Sequence, residues 1–167
     1  MRARALALTL VIFLASHLST PAWSAEIIGR PSVIDGDTIE IHGTRIRLSG
    51  IDAPESWQSC KRADDSDYRC GRDAAYALDE WLAKSLPTRC REVDRDRYRR
   101  VVAECWRADG HSVATWMVRN GHALDWPHYS LGEYADDERA AESSRSGMWQ
   151  GSFIAPWDAR KRRRLGM

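Results

Sequence analysis

The stretch that most constrains this chain is residues 27–51, IIGRPSVIDGDTIEIHGTRIRLSGI. Ile39 and Ile41 alternate with Thr38, Glu40 and His42, and Ile46 and Leu48 alternate with Arg45, Arg47 and Ser49. A period of two sends one set of side chains to a buried face and the other to solvent. Asp35-Gly36 and His42-Gly43 interrupt the run with turn chemistry. The stretch therefore reads as three antiparallel strands.

The elements that follow are separable by pattern. Residues 56–70, SWQSCKRADDSDYRC, are polar and aperiodic, and read as a loop. Residues 71–87 place Ala74, Leu78, Trp81 and Leu82 on one helical face, and Pro87 ends that helix. Residues 88–106, TRCREVDRDRYRRVVAECW, fold back as a hairpin. Two more helical patterns run from His111 to Asn120 and from Leu131 to Ser146, closed by Gly121 and Gly147. The expected order is three strands, a helix, two strands and two helices, with no repeats and no low-complexity tract.

Arg2 and Arg4 precede an apolar run from Ala5 to Ala15, and Ala22-Trp23-Ser24 has the small-x-small form of a cleavage site. This predicts an export leader, residues 1–24, removed after Ser24. The run is shorter than the about 20 residues a membrane-spanning helix needs. The mature protein is accordingly expected in the periplasm or the medium, with no stable membrane association. One domain (25–159) and a basic tail (160–167) remain. Losing Arg2 and Arg4 leaves 23 of the 25 basic residues against 24 acidic ones, a formal charge of −1. A nucleic-acid binder of that charge must concentrate its positive charge locally or recruit a cation.

All four cysteines, Cys60, Cys70, Cys90 and Cys105, lie beyond the leader. An even number in an exported chain reads as two disulfides, and no CxxC or CxxH spacing supports zinc. Of the three possible connectivities we favour Cys90–Cys105, which would centre the hairpin turn on Arg97-Tyr98. Cys60–Cys70 then brackets the polar loop.

VIDGDT and IDAPE, residues 33–38 and 51–55, are each weak signals alone, because Asp, Gly and Pro favour turns for local reasons. Their placement is more telling. Asp37 closes the first hairpin and Asp52 follows the third strand, so antiparallel pairing can bring both to one end of the sheet. Two carboxylates and a backbone carbonyl suit a hard cation. Arg47, on the polar face of the third strand, points to the same end. A cation, a guanidinium and a carboxylate together suit phosphodiester hydrolysis.

IDGDT, RLSGIDAPE, DRYRR, GHAL, RSGMW and a terminal PW segment occur in this order. In these elements the chain resembles the staphylococcal nuclease family over nearly the whole mature sequence. The resemblance implies a mainly β, α+β fold: a five-stranded OB barrel with three helices, a common oligonucleotide platform. It implies that Asp37, Asp52 and the Ala53 carbonyl bind Ca2+, with Asp35 behind them. It also implies Glu55 as general base, Arg47 and Arg100 as catalytic arginines, and Arg97, Tyr98 and Tyr129 as substrate contacts. The substrates it implies are DNA and RNA, single-stranded or frayed, cut at the 5′ P–O bond to leave 3′-phosphates by a monomer. One departure is Arg99, where the family usually has Gly. A left-handed backbone there would cost a non-glycine residue about 1–2 kcal/mol.

Other features have plainer readings. Arg160 to Arg164 read as a solvated tail, and Trp149, Phe153 and Trp157 as residues that fasten the C-terminus. His42, His111, His122 and His128 share no ligand spacing. Two other functions stand beside the nuclease: a non-catalytic OB module binding nucleic acid or protein, and a hydrolase acting on another phosphodiester in envelope polymer metabolism. The completeness of the set Asp37, Arg47, Asp52, Glu55 and Arg100 favours the nuclease.

Overall fold

A computed structural model describes residues 26–167; the expected leader lies outside the described residues. The first half runs β1 (Glu26–Gly29), β2 (Ser32–Asp35), β3 (Thr38–Ile41), β4 (Thr44–Leu48), β5 (Ile51–Asp52), β6 (Cys60–Lys61), β7 (Asp67–Tyr68) and α1 (Cys70–Ala83). The second half runs β8 (Thr88–Arg95), β9 (Val101–Trp106), α2 (Val113–Arg119), β10 (Leu124–Asp125), α3 (Pro127–Ser130), α4 (Ala135–Ser143), a 3-10 turn (Gly147–Gln150) and α5 (Pro156–Arg164).

The alternating stretch behaves as its period requires. β2, β3 and β4 form an antiparallel meander in which Ile39 faces Ile46, and Ile39, Ile41, Ile46 and Leu48 are all buried. His42 and Gly43 both take positive φ, 52° and 76°, the backbone a two-residue hairpin loop needs to follow strand twist. The three-strand expectation fails at its start. β1 is a separate strand that pairs with β8 at the opposite edge of the sheet from β2. Pro31, between β1 and β2, has no N–H to donate to a ladder, so the chain leaves one edge there and re-enters at the other.

The main sheet has the order β1-β8-β9-β4-β3-β2, with β4 and β9 parallel and the other pairs antiparallel. Ala74, Leu78 and Leu82 of α1 and Val113, Met117 and Val118 of α2 fill the core beneath its concave face. A smaller cluster joins Cys60, Cys70, Leu124 and Met148 to Trp149, Phe153 and Trp157. This is the α+β OB-fold. Among the described residues its main sheet has six strands instead of five, and α3 and α5 add to the three expected helices α1, α2 and α4. The disulfides are Cys60–Cys70 and Cys90–Cys105, as the hairpin argument predicts.

Two glycines let backbone segments press together around the acids. A Cβ on Gly36 would lie 2.7 Å from the Ala53 Cβ, so only glycine lets the β2–β3 turn rest on the segment that follows β5. A Cβ on Gly71 would lie 1.8 Å from the Glu55 carbonyl oxygen, so the first turn of α1 is seated directly on the Pro54-Glu55 loop.

Candidate active site

The β2–β3 turn, the polar face of β4 and the segment after β5 converge at one end of the sheet. Arg47, opposite Thr38 in the β3–β4 pairing, donates from Nη1 to Asp37 Oδ1 at 3.0 Å and from Nη2 to Asp52 Oδ1 at 2.8 Å. Asp37 Oδ1 also accepts from Thr38 Oγ1 at 3.1 Å, and its Oδ2 accepts from the Ala53 N–H at 3.2 Å. Asp35 lies behind and accepts from the Asp37 N–H at 3.1 Å. Glu55 sits in a turn held by buried Gln58, whose Oε1 accepts from the Glu55 N–H and whose Nε2 donates to the Ile154 carbonyl at 2.6 Å.

Asp52 is fully buried, with 0% of its side chain exposed, beneath two guanidiniums. The second belongs to Arg160 of α5. Its Nη1 donates to Asp52 Oδ1 at 2.9 Å and to Glu55 Oε1 at 2.8 Å, and its Nη2 donates to Asp52 Oδ2 at 2.7 Å. Trp126 lies beside both arginines, with Arg47 Cζ 5.5 Å and Arg160 Cζ 5.4 Å from its ring centre.

Sequence reasoning missed Arg160 and Trp126. The boundary it placed at residue 160 falls inside α5, which runs unbroken from Pro156 to Arg164. Pro156 at the first helical position was an available helix-start signal. The aromatic residues Trp149, Phe153 and Trp157 do fasten the C-terminus: Trp149 meets Phe153 edge-on, and Trp157 stacks on Trp126 at 6.1 Å.

Electrostatics follow from this crowding of acids. Burial, reinforced by the neighbouring Asp37 charge, pushes the Asp35 carboxyl up to about 6. Burial also raises Asp52, and Arg160 and Arg47 offset only part of that effect. Burial would lower the Arg47 guanidinium, but Asp37 and Asp52 together hold it above its ordinary value.

The remaining expected site residues line the same open cavity of ≈ 1050 Å³: Arg97, Tyr98 and Arg100 from the β8–β9 hairpin, and Tyr129 from α3. Arg100 does not reach the acids. Its Nε donates to Asp96 Oδ2 at 2.6 Å. Cys90 faces Cys105 as expected, but a bulge between Glu92 and Asp94 shifts the register so that Arg95 faces Val101. The turn therefore spans Asp96 to Arg100 instead of centring on Arg97-Tyr98, and Arg99 and Arg100 belong to it and not to β9. Asp96 Oδ1 organises the turn by accepting from the N–H groups of Tyr98 and Arg100, each at 2.9 Å. Arg99 takes the left-handed backbone, φ 65°.

The charges and donor atoms of these groups suit a cation. Four carboxylates, Asp35, Asp37, Asp52 and Glu55, gather against two guanidiniums, Arg47 and Arg160. Fully ionised, the cluster carries an excess of two negative charges, and two of its carboxyls are already raised by burial. All the donors are oxygen, the chemistry a hard divalent cation takes. Among the described residues no group of three or more acids, histidines or cysteines already forms a metal cage. The donor set fits a cation that shares the acids with the arginines.

A curled OB sheet with buried acids and arginines at one end defines a class of protein, and sequence comparison names it. The family model for staphylococcal nuclease homologues matches residues 45–151, and the chain belongs to that family. It is 48% identical over 144 residues to the succinoglycan biosynthesis protein ExoI of Rhizobium meliloti, covering 85% of this chain and 75% of that protein. It is 33% identical over 161 residues to an uncharacterised endonuclease of Escherichia coli, covering 92% and 96% of the two chains. A probable staphylococcal-like nuclease, CAN1 of Oryza sativa, is 34% identical over 134 residues, covering 78% of this chain and 37% of that protein.

Proposed function

We propose that this member of the nuclease family is a calcium-dependent hydrolase of DNA and RNA. It opens the 5′ P–O bond and leaves 3′-phosphates. The observation that carries the reading is the convergence of Asp37, Arg47 and Glu55 on the lining of one open cavity, with Asp52 buried directly beneath Arg47. Asp37, Asp52 and the Ala53 carbonyl would hold the cation, which supplies neutralisation of the charge developing on the phosphate. Arg47, fixed by two carboxylates, presents a guanidinium to the same phosphate. Glu55, with one oxygen held by Arg160 at 2.8 Å, takes the proton of the attacking water. Arg97, Tyr98 and Tyr129, which line the same cavity, bind the nucleic-acid strand. Tyr98 and Tyr129 are 66% and 61% exposed and available to stack on bases, which favours single-stranded or frayed substrate.

Two disulfides accord with export to the periplasm or medium, and the enzyme acts as a monomer. No helix among the described residues is long and apolar enough to cross a membrane. The test is digestion of plasmid DNA and RNA by the mature domain, with calcium and with chelator. Cleavage of both with calcium and loss in chelator are expected; full activity in chelator would overturn the metal assignment. A second reading keeps the hydrolase and changes the phosphodiester to one in envelope polymer metabolism. The relative named for succinoglycan biosynthesis favours it. Intact nucleic acid after incubation with calcium would leave this reading or the non-catalytic module standing.

A further inference from the structure

We propose that Arg160, delivered by the C-terminal helix, is a further phosphate-binding guanidinium of the active site, set beside Arg47. The inference rests on the nuclease reading above.

Arg47 and Arg160 donate to the same oxygen, Asp52 Oδ1, at 2.8 and 2.9 Å, so the two cationic forks lie side by side. Both are close to the Trp126 ring. Two guanidiniums brought this close repel each other unless an anion accepts from both. Asp52 is the anion that does so here. A phosphodiester, with two non-bridging oxygens and one negative charge, is another acceptor of the right valence, and paired forks recognise it well.

Access favours Arg160. Its side chain is 27% exposed and lines the cavity beside Glu55, whereas Asp52 below it is sealed. The arginine assigned from the DRYRR motif is less well placed, since Arg100 is tied to Asp96 in the hairpin turn. The helix that carries Arg160 is a fixed mount and not a loose tail. Pro156 and Ala159 are buried, Trp157 stacks on Trp126, and the preceding Ile154 carbonyl is bonded to Gln58 of the Glu55 turn. Arg163 points elsewhere, with its Cζ 4.6 Å from the Trp57 ring centre.

The test measures binding and turnover separately. In a Glu55→Gln parent with calcium, affinity for a fluorescent single-stranded oligonucleotide is titrated against salt, with Arg160→Gln, Arg160→Lys and Arg163→Gln added in turn. Arg160→Gln should weaken binding by about tenfold and flatten the log–log salt slope by about 0.7, the signature of one lost phosphate contact on a single strand. Arg160→Lys keeps the charge over Asp52 but loses the fork. It should keep the salt slope while lowering kcat/KM, measured with Glu55 restored, by about tenfold or more. Arg163→Gln should change affinity less than twofold. If Arg160→Gln does not fold, Arg160→Lys decides the matter. The proposal is overturned if Arg160→Lys turns over like wild type, or if Arg160→Gln binds with unchanged affinity and slope, or if Arg163→Gln loses as much as Arg160→Gln. Wild-type protein that neither binds nor cleaves the oligonucleotide would overturn the nuclease reading itself. Wild-type cleavage with an unaffected Arg160 variant would remove only Arg160.

Discussion

Replacing Arg99 by glycine should stabilise the protein, and the structure allows the size of the effect to be worked out. Arg99 is an exposed side chain at φ 65°, at the position where the β8–β9 turn closes by an Arg99 N–H bond to the Asp96 carbonyl at 2.8 Å. A left-handed backbone costs an L-residue about 1–2 kcal/mol. Glycine removes that strain but loses more freedom on folding, which costs about 0.5–1 kcal/mol. The net gain is about 0.5–1 kcal/mol, or roughly 1–4 °C in melting temperature for a domain of this size. Removing a charge from a turn that also carries Arg97 and Arg100 would act in the same direction, so Arg99→Ala is the necessary control. Alanine deletes the same charge and keeps the strain. Urea denaturation of the three oxidised proteins at moderate salt should place Arg99→Gly above Arg99→Ala by about 0.5–1 kcal/mol. Nuclease activity of Arg99→Gly should hold within a few-fold, because Asp96 still organises the turn. Equal stabilities of the Gly and Ala variants would refute the strain argument and leave charge relief as the cause.

If Arg100 leaves Asp96 to meet the phosphate, as the family resemblance implies, Arg100→Lys should lower kcat by about 10²-fold, because a point charge cannot replace a bidentate fork; steady-state kinetics within twofold of wild type would take Arg100 out of the catalytic set. Converting both Cys90 and Cys105 to alanine should cost about 2–4 kcal/mol in denaturant titrations, since their bridge closes a sequence separation of 15 residues. Burial beside Trp116 lowers the His122 pKa from its ordinary 6.5, with only partial opposition from the charge of Asp73. The unfolded chain therefore binds more protons than the folded one just below pH 6.5, and stability contributed by neutral His122 is lost as pH falls through that window. His122→Gln should flatten the decline of melting temperature below pH 6.5, and an unchanged slope would contradict the assignment.

What the sequence determined by itself is short in range. Alternation over 38–48 and the His42-Gly43 loop specify β3 and β4, because the period of a strand and the sign of φ in a turn are properties of neighbouring residues. The hairpin likewise makes Cys90 and Cys105 partners, and the order of the acidic motifs marks Asp37, Asp52 and Glu55 as a set. Tertiary structure decided where these pieces meet. Asp35-Gly36 marks a turn in the sequence, but only the close approach of Gly36 to Ala53 brings the Asp37 turn against the segment after β5. The bulge after Glu92 shifts the pairing register by one residue and widens the turn to Asp96–Arg100, and nothing in the local alternation announces it. Arg160 is separated from Asp52 by 108 residues and stands in a run of cations that look alike in sequence. Only the docking of Trp157 on Trp126 and the burial of Ala159 choose Arg160, of those cations, to meet Asp52 and Glu55. That choice depends on helix phase relative to a distant surface, a quantity that exists only once the chain has folded.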